Sequence, residues 1–466
     1  MVYDLIVIGG GPTGEKAAVA AAYFDKKVAL VERAKAGPGG AMVHTGTLPS
    51  KTLRETALYL TGSRSRELYD EFFQGIPDDR RNAKALMCRL PTVTGLQADQ
   101  IEQNLERHGV ELIAGEGVLV DANHVRVGDR VLEAKNFLIA TGSSPRRPAG
   151  FDFDDPEVHD SDSILELERL PKSFAIIGGG VIGSEYACVF SAFGCKIEVI
   201  EKRPRLMSFL DEAISDALMA SMQKSGIALH LDDGVERVER VGDKLQLTLV
   251  SGKVMEVDQV MVSAGRVGNT SGLGLEAVGV ALNERKLVIV DEHLRTNVPN
   301  IYAGGDVIGR PALASTAMEQ GRLAVAAMFG LEIPSRDFDT IPAGIYTIPE
   351  ACACGQTEQE LVAKGVPVVT GTSYMRHNAR GQIIGDTDGF VKLVFHRDTK
   401  ALLGTHIICE RATELIHVGQ AVQRLGGGID YFIEAVMSYP SLTVAYKYAA
   451  YDALGKLMGR TIHPLE

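Results

Sequence analysis

The sequence predicts an α/β protein of several domains, in which one strand, glycine turn, helix and strand unit occurs twice ahead of a separate C-terminal region. Three observations predict it. At 466 residues the chain exceeds what one hydrophobic core usually supports. Its 45% hydrophobic and 23% charged residues, with 50 glycines, describe an ordinary globular protein rich in tight turns. Two GxGxxG segments each lie between an apolar strand-like run and a helix-like run.

The first unit opens with the apolar run Tyr3 to Ile8, which enters Gly9-Gly10-Gly11-Pro12-Thr13-Gly14. A helix-like run from Glu15 to Phe24 follows, then a second strand, Lys27 to Val31, that ends at Glu32, 23 residues beyond Gly9. This is the order of a βαβ unit that holds a dinucleotide. Gly9 permits the tight turn, Gly11 lets a pyrophosphate approach the backbone, and Gly14 lets the helix pack on the strand. The phosphates rest on the helix N-terminus, whose unpaired N–H groups attract anions. Glu32 is placed to accept hydrogen bonds from an adenosine ribose.

A single GxGxxG also fits a plain surface turn, so the second copy decides the matter. After Ser173 to Ile177 comes Gly178-Gly179-Gly180-Val181-Ile182-Gly183, then a helix-like run to Phe193 and a strand from Lys196 to Ile200. That strand is followed by Glu201, again 23 residues past the first glycine. Two complete units imply two dinucleotides. Phe137 to Gly142 and Ile301 to Asp306 read as further short strands running into small-residue turns, and Asp306 is either a receiver of sugar-like hydroxyls or part of a simple turn.

The formal net charge of −12 argues against nucleic acid or an anionic membrane as partner. No 18-residue apolar run suggests a membrane span, and the N-terminus shows no leader pattern, so a cytoplasmic location is expected. The six cysteines, at 88, 188, 195, 352, 354 and 409, form neither a disulfide framework nor a zinc pattern, and no metal is expected. Cys352 and Cys354 would share one face of a strand, which suits core packing and leaves a redox or metal pair as the other reading.

Between Gly39 and Lys51 the chain reads Gly-Gly-Ala-Met-Val-His-Thr-Gly-Thr-Leu-Pro-Ser-Lys, and here it resembles the flavoprotein disulfide reductases, the family of lipoamide dehydrogenase and glutathione reductase. The resemblance takes in both glycine motifs, Ala140-Thr141-Gly142, Ser263 to Arg266, Gly305-Asp306 and the C-terminal region. It implies FAD on a discontinuous domain, 1–148 and 268–337, NAD(P) on 149–267, and an α+β dimerisation domain at 338–466 that makes a homodimer. In that C-terminal region Val391 to Phe395 and Leu402 to Ile408 read as a hairpin, and Ala412 to Leu425 as a helix over the sheet.

By the same resemblance FAD is held by Gly9, Gly11, Gly14, Glu32, Arg33, Gly40, Thr47, Lys51, Glu116, Gly117, Ala140, Thr141, Gly142, Asp306 and Ala314. The nicotinamide nucleotide falls to Gly178, Gly180, Val181, Ile182, Gly183, Glu185, Glu201, Arg203, Val235 and Gly265. Lys51 matches the family lysine beside the flavin N5, and Glu185 the acid that pairs with it; these are the catalytic expectations. Val181 lies by family position near the nicotinamide, although a helix-packing valine reads equally well. His44, where the family usually has Asn, carries at most a hydrogen bond.

Two departures bear on activity. The family's two redox cysteines correspond here to Met42 and Thr47, and neither side chain can form a disulfide or a thiolate. The family's His-Pro segment, with a Glu four residues after the Pro, corresponds to Tyr439-Pro440-Ser441-Leu442-Thr443-Val444, so the thiol acid–base pair is absent too. Within the family the chain is most similar to the soluble pyridine nucleotide transhydrogenases, in Gly46 to Lys51, Gly304 to Gly309, Gly344 to Glu350 and Glu410 to His417.

The implied activity is a ping-pong hydride transfer from NADPH to NAD⁺ through FAD, with NAD(H) and NADP(H) as substrates and no redox disulfide. Glu201 suits the 2′-hydroxyl of NAD(H), while Arg203 or Arg205 suits a 2′-phosphate, unless these arginines are solvated surface charges. Two other readings use the same residues: an NAD(P)H-dependent quinone or dye reductase, and a non-catalytic nucleotide-binding redox sensor or assembly subunit.

Overall fold

Val2–Ile8, Val28–Glu32 and Arg130–Ile139 are apolar along most of their length where they meet, as strands buried on both faces of a parallel sheet must be. The computed structural model describes residues 2–62, 76–77, 80–309, 311–332 and 340–460. In it these strands pair in parallel, with Ile6 beside Ala29 on one side and beside Phe137 on the other. Glu111–Ala114 extends the sheet beyond Val28–Glu32, and the antiparallel strands His124–Val127 and Gly117–Asp121 extend it beyond Arg130–Ile139. Ile301–Ala303 returns from far along the chain to lie parallel to Phe137–Ile139. The helices Pro12–Tyr23 and Ala314–Phe329 pack on one another, and Gly321 permits it: a Cβ there would meet the Thr13 carbonyl at 2.3 Å.

The second unit repeats the theme. Ala228–His230, Lys196–Ile200, Ser173–Ile177, Gln259–Val262 and Val158–His159 form a five-stranded parallel sheet in that order, with an antiparallel meander, Val235–Val241, Lys244–Leu249 and Val254–Val257, beside it. The chain leaves and re-enters the first unit through Ser143–Pro145 and Arg266–Gly268, which pair antiparallel.

The C-terminal region is an antiparallel sheet ordered Ala343–Ile345, Glu350–Gly355, Leu402–Cys409, Phe390–His396, Val368–Tyr374, covered by the helices Ala412–Arg424 and Val444–Leu457. The expected hairpin and helix are both there. Cys352 and Cys354 point into the buried core of this layer, and burial drives the Cys354 thiol up to about 11 and the Cys352 thiol further still. They are packing residues. Among the described residues no group of His, Cys, Asp and Glu is arranged to hold a metal, and no helix is long and apolar enough to cross a membrane.

The three parts meet in one of the buried clusters. A single buried cluster contains Leu53 and Ala57 of the first unit, Phe174, Ile176 and Phe190 of the second, and Ile345, Ala351 and Phe390 of the C-terminal sheet. A buried ion pair reinforces the join. Asp211 caps the helix Glu212–Lys224 and accepts from the Lys392 ammonium at 2.8 and 3.0 Å, while Lys392 also reaches Glu358 at 2.6 Å. Asp211 is fully buried, so its charge depends on these partners.

Candidate functional site

The two glycine turns have the same geometry. Gly9 and Gly178 both have φ +104°, a conformation that favours glycine, and both press against a backbone carbonyl: a Cβ would lie 2.4 Å from Ala140 O in the first and 2.6 Å from Ser263 O in the second. Gly14 and Gly183 are the close-packing glycines, with a Cβ falling 1.9 and 2.0 Å from the carbonyls of Gly9 and Gly178. The middle glycines differ in kind. Around Gly180 nothing lies within 4 Å of an added Cβ, and around Gly11 only the Gly40 Cα does, at 3.9 Å. Each begins a 12-residue helix, Pro12–Tyr23 or Val181–Ala192, and neither helix start has a side-chain cap. Open space and unspent N–H groups therefore coincide at both turns, which is what a pyrophosphate requires.

Glu32 and Glu201 close the units identically as far as the backbone goes. Glu32 accepts from Gly10 N and Ala34 N at 2.7 Å each; Glu201 accepts from Gly179 N at 2.8 Å and Arg203 N at 3.0 Å. The difference is a guanidinium. Arg203 donates from Nε to Glu201 Oε1 at 3.0 Å and from Nη2 to Oε2 at 3.1 Å. Burial pushes the Glu201 carboxyl up, but these bonds outweigh it and hold the group below its usual range. Arg205 turns elsewhere, to Glu212 and Asp216. Arg33 reaches Glu116 at 3.6 Å on an exposed surface and leaves Glu32 alone.

A cavity of about 930 Å³ opens beside the first turn. This is the upper end of the roughly 300–1,000 Å³ of preformed ligand sites. Its walls include Gly9, Gly11, Glu32, Arg33, Gly40, Thr47, Lys51, Glu116, Gly117, Ala140, Thr141, Gly142, Asp306 and Ala314, together with Val181, Ile182 and Glu185 from the second unit. Gly14, Gly178, Gly180, Gly183, Glu201, Arg203, Val235 and Gly265 are not among its walls. Val235 begins the meander and is partly buried against the core of the second unit. Gly265, at φ +97°, has no heavy atom within 4 Å of an added Cβ. Met42 and His44 also border the cavity; the His44 Nε2 lies 3.2 Å from the carbonyls of Gly37 and Pro38 and thereby braces its own loop.

Lys51 and Glu185 meet across this cavity's wall. The ammonium lies 2.9 and 2.8 Å from the two carboxylate oxygens, with side chains 24% and 4% exposed. Ser50 Oγ donates to Glu185 Oε2 at 3.1 Å, and Tyr346 N donates to Oε1 at 2.9 Å. Removing one partner of such a pair would cost about 3–5 kcal/mol by stranding the other charge.

Two sets of contacts in this site lie beyond what sequence spacing shows. Asp306 receives the Ser143 hydroxyl at 2.6 Å, and Ser143 Oγ in turn accepts from Arg266 Nε at 2.8 Å, a chain that ties the crossover strands to the cavity. Tyr346, Thr413 and His417 bring the C-terminal region to the same wall. Only position along the wall unites these residues, and no local spacing in the sequence could have found them.

The fold agrees with comparisons to known proteins. Residues 3–321 match the family model described as pyridine nucleotide-disulphide oxidoreductase, and residues 341–450 match the dimerisation domain of that family. The chain is 43% identical over 461 residues to a protein of Mycobacterium bovis named soluble pyridine nucleotide transhydrogenase, covering 98% of each. It is 40% identical over 463 residues to one of the same name from Pectobacterium atrosepticum, again covering 98% of each. Among solved structures it matches LpdA from Mycobacterium tuberculosis with a TM-score of 0.87 and 29% identity, over 96% of this chain and 99% of that one. The flavoprotein disulfide reductase RclA from Escherichia coli also matches with a TM-score of 0.87, at 25% identity over 96% and 99% of the two chains. With both halves matched and relatives aligned end to end, the chain belongs to the pyridine nucleotide-disulphide oxidoreductase family.

Proposed function

We propose that this protein is a flavin-dependent transhydrogenase, transferring a hydride from NADPH to NAD⁺ in two half-reactions at one nucleotide site, with no sulfur in the path. The observation that carries the reading is the combination of an intact Lys51–Glu185 pair at 2.8 Å with Met42 and Thr47 in place of the redox cysteines. The relatives at 40–43% identity that bear the transhydrogenase name support the same substrates.

FAD is the cofactor of this family, and the residues present fit it. In this reading it is held by 1–148 and 268–337: the open turn at Gly11 takes its pyrophosphate, Glu32 its adenosine ribose, and Asp306 hydroxyls of its sugar-like chain. Arg33, Gly40, Thr47, Glu116, Gly117, Ala140, Thr141, Gly142 and Ala314 line its bed. When bound, FAD supplies the centre that takes up a hydride and gives it back.

Residues 149–267 bind the nicotinamide nucleotide, with the open turn at Gly180 for its pyrophosphate and Glu201 with Arg203 for its ribose. The chain's own work is positioning: orienting two reactants is worth about 7–11 kcal/mol of barrier. Lys51 holds a positive charge at the cavity wall, where it favours the electron-rich state of whatever lies against it. Glu185 keeps that ammonium in place and forgoes acid–base work. No side chain acts as nucleophile. Residues 338–466 complete a homodimer, and the protein works in the cytoplasm.

Anaerobic stopped-flow absorbance tests the reading. NADPH should bleach the flavin, and NAD⁺ added afterwards should restore it within the turnover time. Bleaching that a quinone reverses quickly and NAD⁺ does not would replace this reading with a reductase; no bleaching by NADPH or NADH would leave a binding protein.

A further inference from the structure

We infer that Tyr346 is a positioning residue for Lys51, and that through it the C-terminal domain sets the charge at the redox centre. The inference deepens the reading above and rests on it. Lys51 is on the helix Thr47–Leu60 of the first unit, Glu185 on the helix Val181–Ala192 of the second, and Tyr346 follows the strand Ala343–Ile345 of the third. All three line the same cavity.

Tyr346 makes two separate contacts with the ion pair. Its backbone N–H donates to Glu185 Oε1 at 2.9 Å, and the Lys51 ammonium lies over its ring, 4.9 Å from the centroid. A cation within about 6 Å of an aromatic face is attracted by the ring quadrupole, more strongly where water is displaced. The lysine needs such a guide. Its flexible stem and compact ammonium give many rotamers, and carboxylate contacts alone allow the head to slide around Glu185.

The ring itself is held. Burial raises the Tyr346 hydroxyl above its ordinary range, with the Thr413 side chain beside it acting in the opposite sense. Thr413 is fixed in turn by Glu350, which accepts from its Oγ1 at 2.8 Å and its N at 3.2 Å. Glu350 also pairs with the buried Arg54 at 3.3 Å, one helical turn beyond Lys51. Thr413, Glu350 and Arg54 thus tie the surroundings of the ring to the lysine's own helix.

The contact separates cleanly by substitution, because the backbone N–H survives any change of side chain. Tyr346→Phe keeps the ring and loses only the hydroxyl; Tyr346→Leu loses the ring. On FAD-loaded protein we expect the phenylalanine variant to stay within about threefold of the parent in the rate of flavin reduction by NADPH. The leucine variant should be slower by about tenfold, with a lower midpoint potential by equilibration against a redox dye. In a Lys51→Met background, adding Tyr346→Leu should change neither quantity.

Equal effects of Tyr346→Leu with and without Lys51, or an unchanged potential in the parent background, would overturn the inference and leave the ring as packing. Tyr346→Met, closer in volume, carries the same comparison should the leucine variant fail to fold. If NAD⁺ does not reoxidise the parent flavin, the transhydrogenase reading falls, while the dye-read potential still decides the role of Tyr346.

Discussion

Arg203 grips both carboxylate oxygens of Glu201, at 3.0 and 3.1 Å, whereas Arg33, the residue after Glu32 in the first unit, leaves its acid free and turns to Glu116. The two acids share one backbone clasp, and the second adds this neutralising partner. An acid with no counter-charge suits a ribose diol and repels a 2′-phosphate; a neutralised one tolerates both. Arg203→Ala should therefore weaken NADPH by about tenfold or more while NADH changes little. Arg205→Ala, whose guanidinium is engaged by Glu212 and Asp216, should spare both. Dissociation constants for 2′,5′-ADP and for ADP, by calorimetry, check this without turnover.

Lys51→Met, with FAD content verified, should slow flavin reduction by about 10²–10³-fold, the usual effect of removing one preorganised electrostatic group. Glu185→Gln should slow it less, since Tyr346 N would still hold the amide oxygen at the position that faces the lysine. Single-turnover absorbance separates the two, and equal rates for parent and Lys51→Met would remove the lysine from the mechanism.

Glycines at the second turn should separate folding from binding. Gly180→Ala adds a methyl group where no atom lies within 4 Å, so its melting temperature should match the parent while nucleotide affinity falls. Gly183→Ala drives a Cβ to 2.0 Å from the Gly178 carbonyl and should lower stability itself. Thermal melts beside NADH titrations read both. A loss of stability in the first or none in the second contradicts the assignment.

Acid should loosen the join between the second unit and the C-terminal sheet. Burial lowers the pKa of His406 below its ordinary 6.5, against the charges of Asp211 and Glu360 that raise it and with that of Lys392, which lowers it further. The folded state then binds fewer protons than the unfolded one. Its stability is present above pH 6.5 and lost as the pH falls from there toward the folded pKa. Urea midpoints at pH 7.5 and 5.5 should differ more for the parent than for His406→Gln, whose amide can still reach the Gln356 carbonyl.

How far the sequence told this depends on the range of each contact. The glycine turns and their terminal acids fall within 23 residues, where spacing and hydrophobic pattern are direct records of backbone geometry. Lys51 and Glu185 stand 134 positions apart and were reached only through the family resemblance. The pairing of Arg203 with Glu201 was hidden for a different reason: the two are neighbours, yet rotamer choice at a half-exposed guanidinium leaves no trace in composition. Tyr346 with Glu185 and Asp211 with Lys392 join separate units, Asp306 with Ser143 joins two distant stretches of the first, and nothing periodic marks such meetings.

Met42 and Thr47 at the cavity wall have a consequence for life under oxidants. The remaining thiols Cys188, Cys195, Cys352, Cys354 and Cys409 are buried, and burial lifts Cys188 to about 11 and Cys195 to about 12, so few thiolates exist near neutral pH. Hydride transfer should survive iodoacetamide or hydrogen peroxide at doses that silence a dithiol reductase, Cys88 being the one exposed thiol among the described residues. A hydride path without cysteine has no sulfenic acid stage to be trapped in, so exchange between two nucleotide pools should continue under oxidant that stalls a dithiol-dependent path.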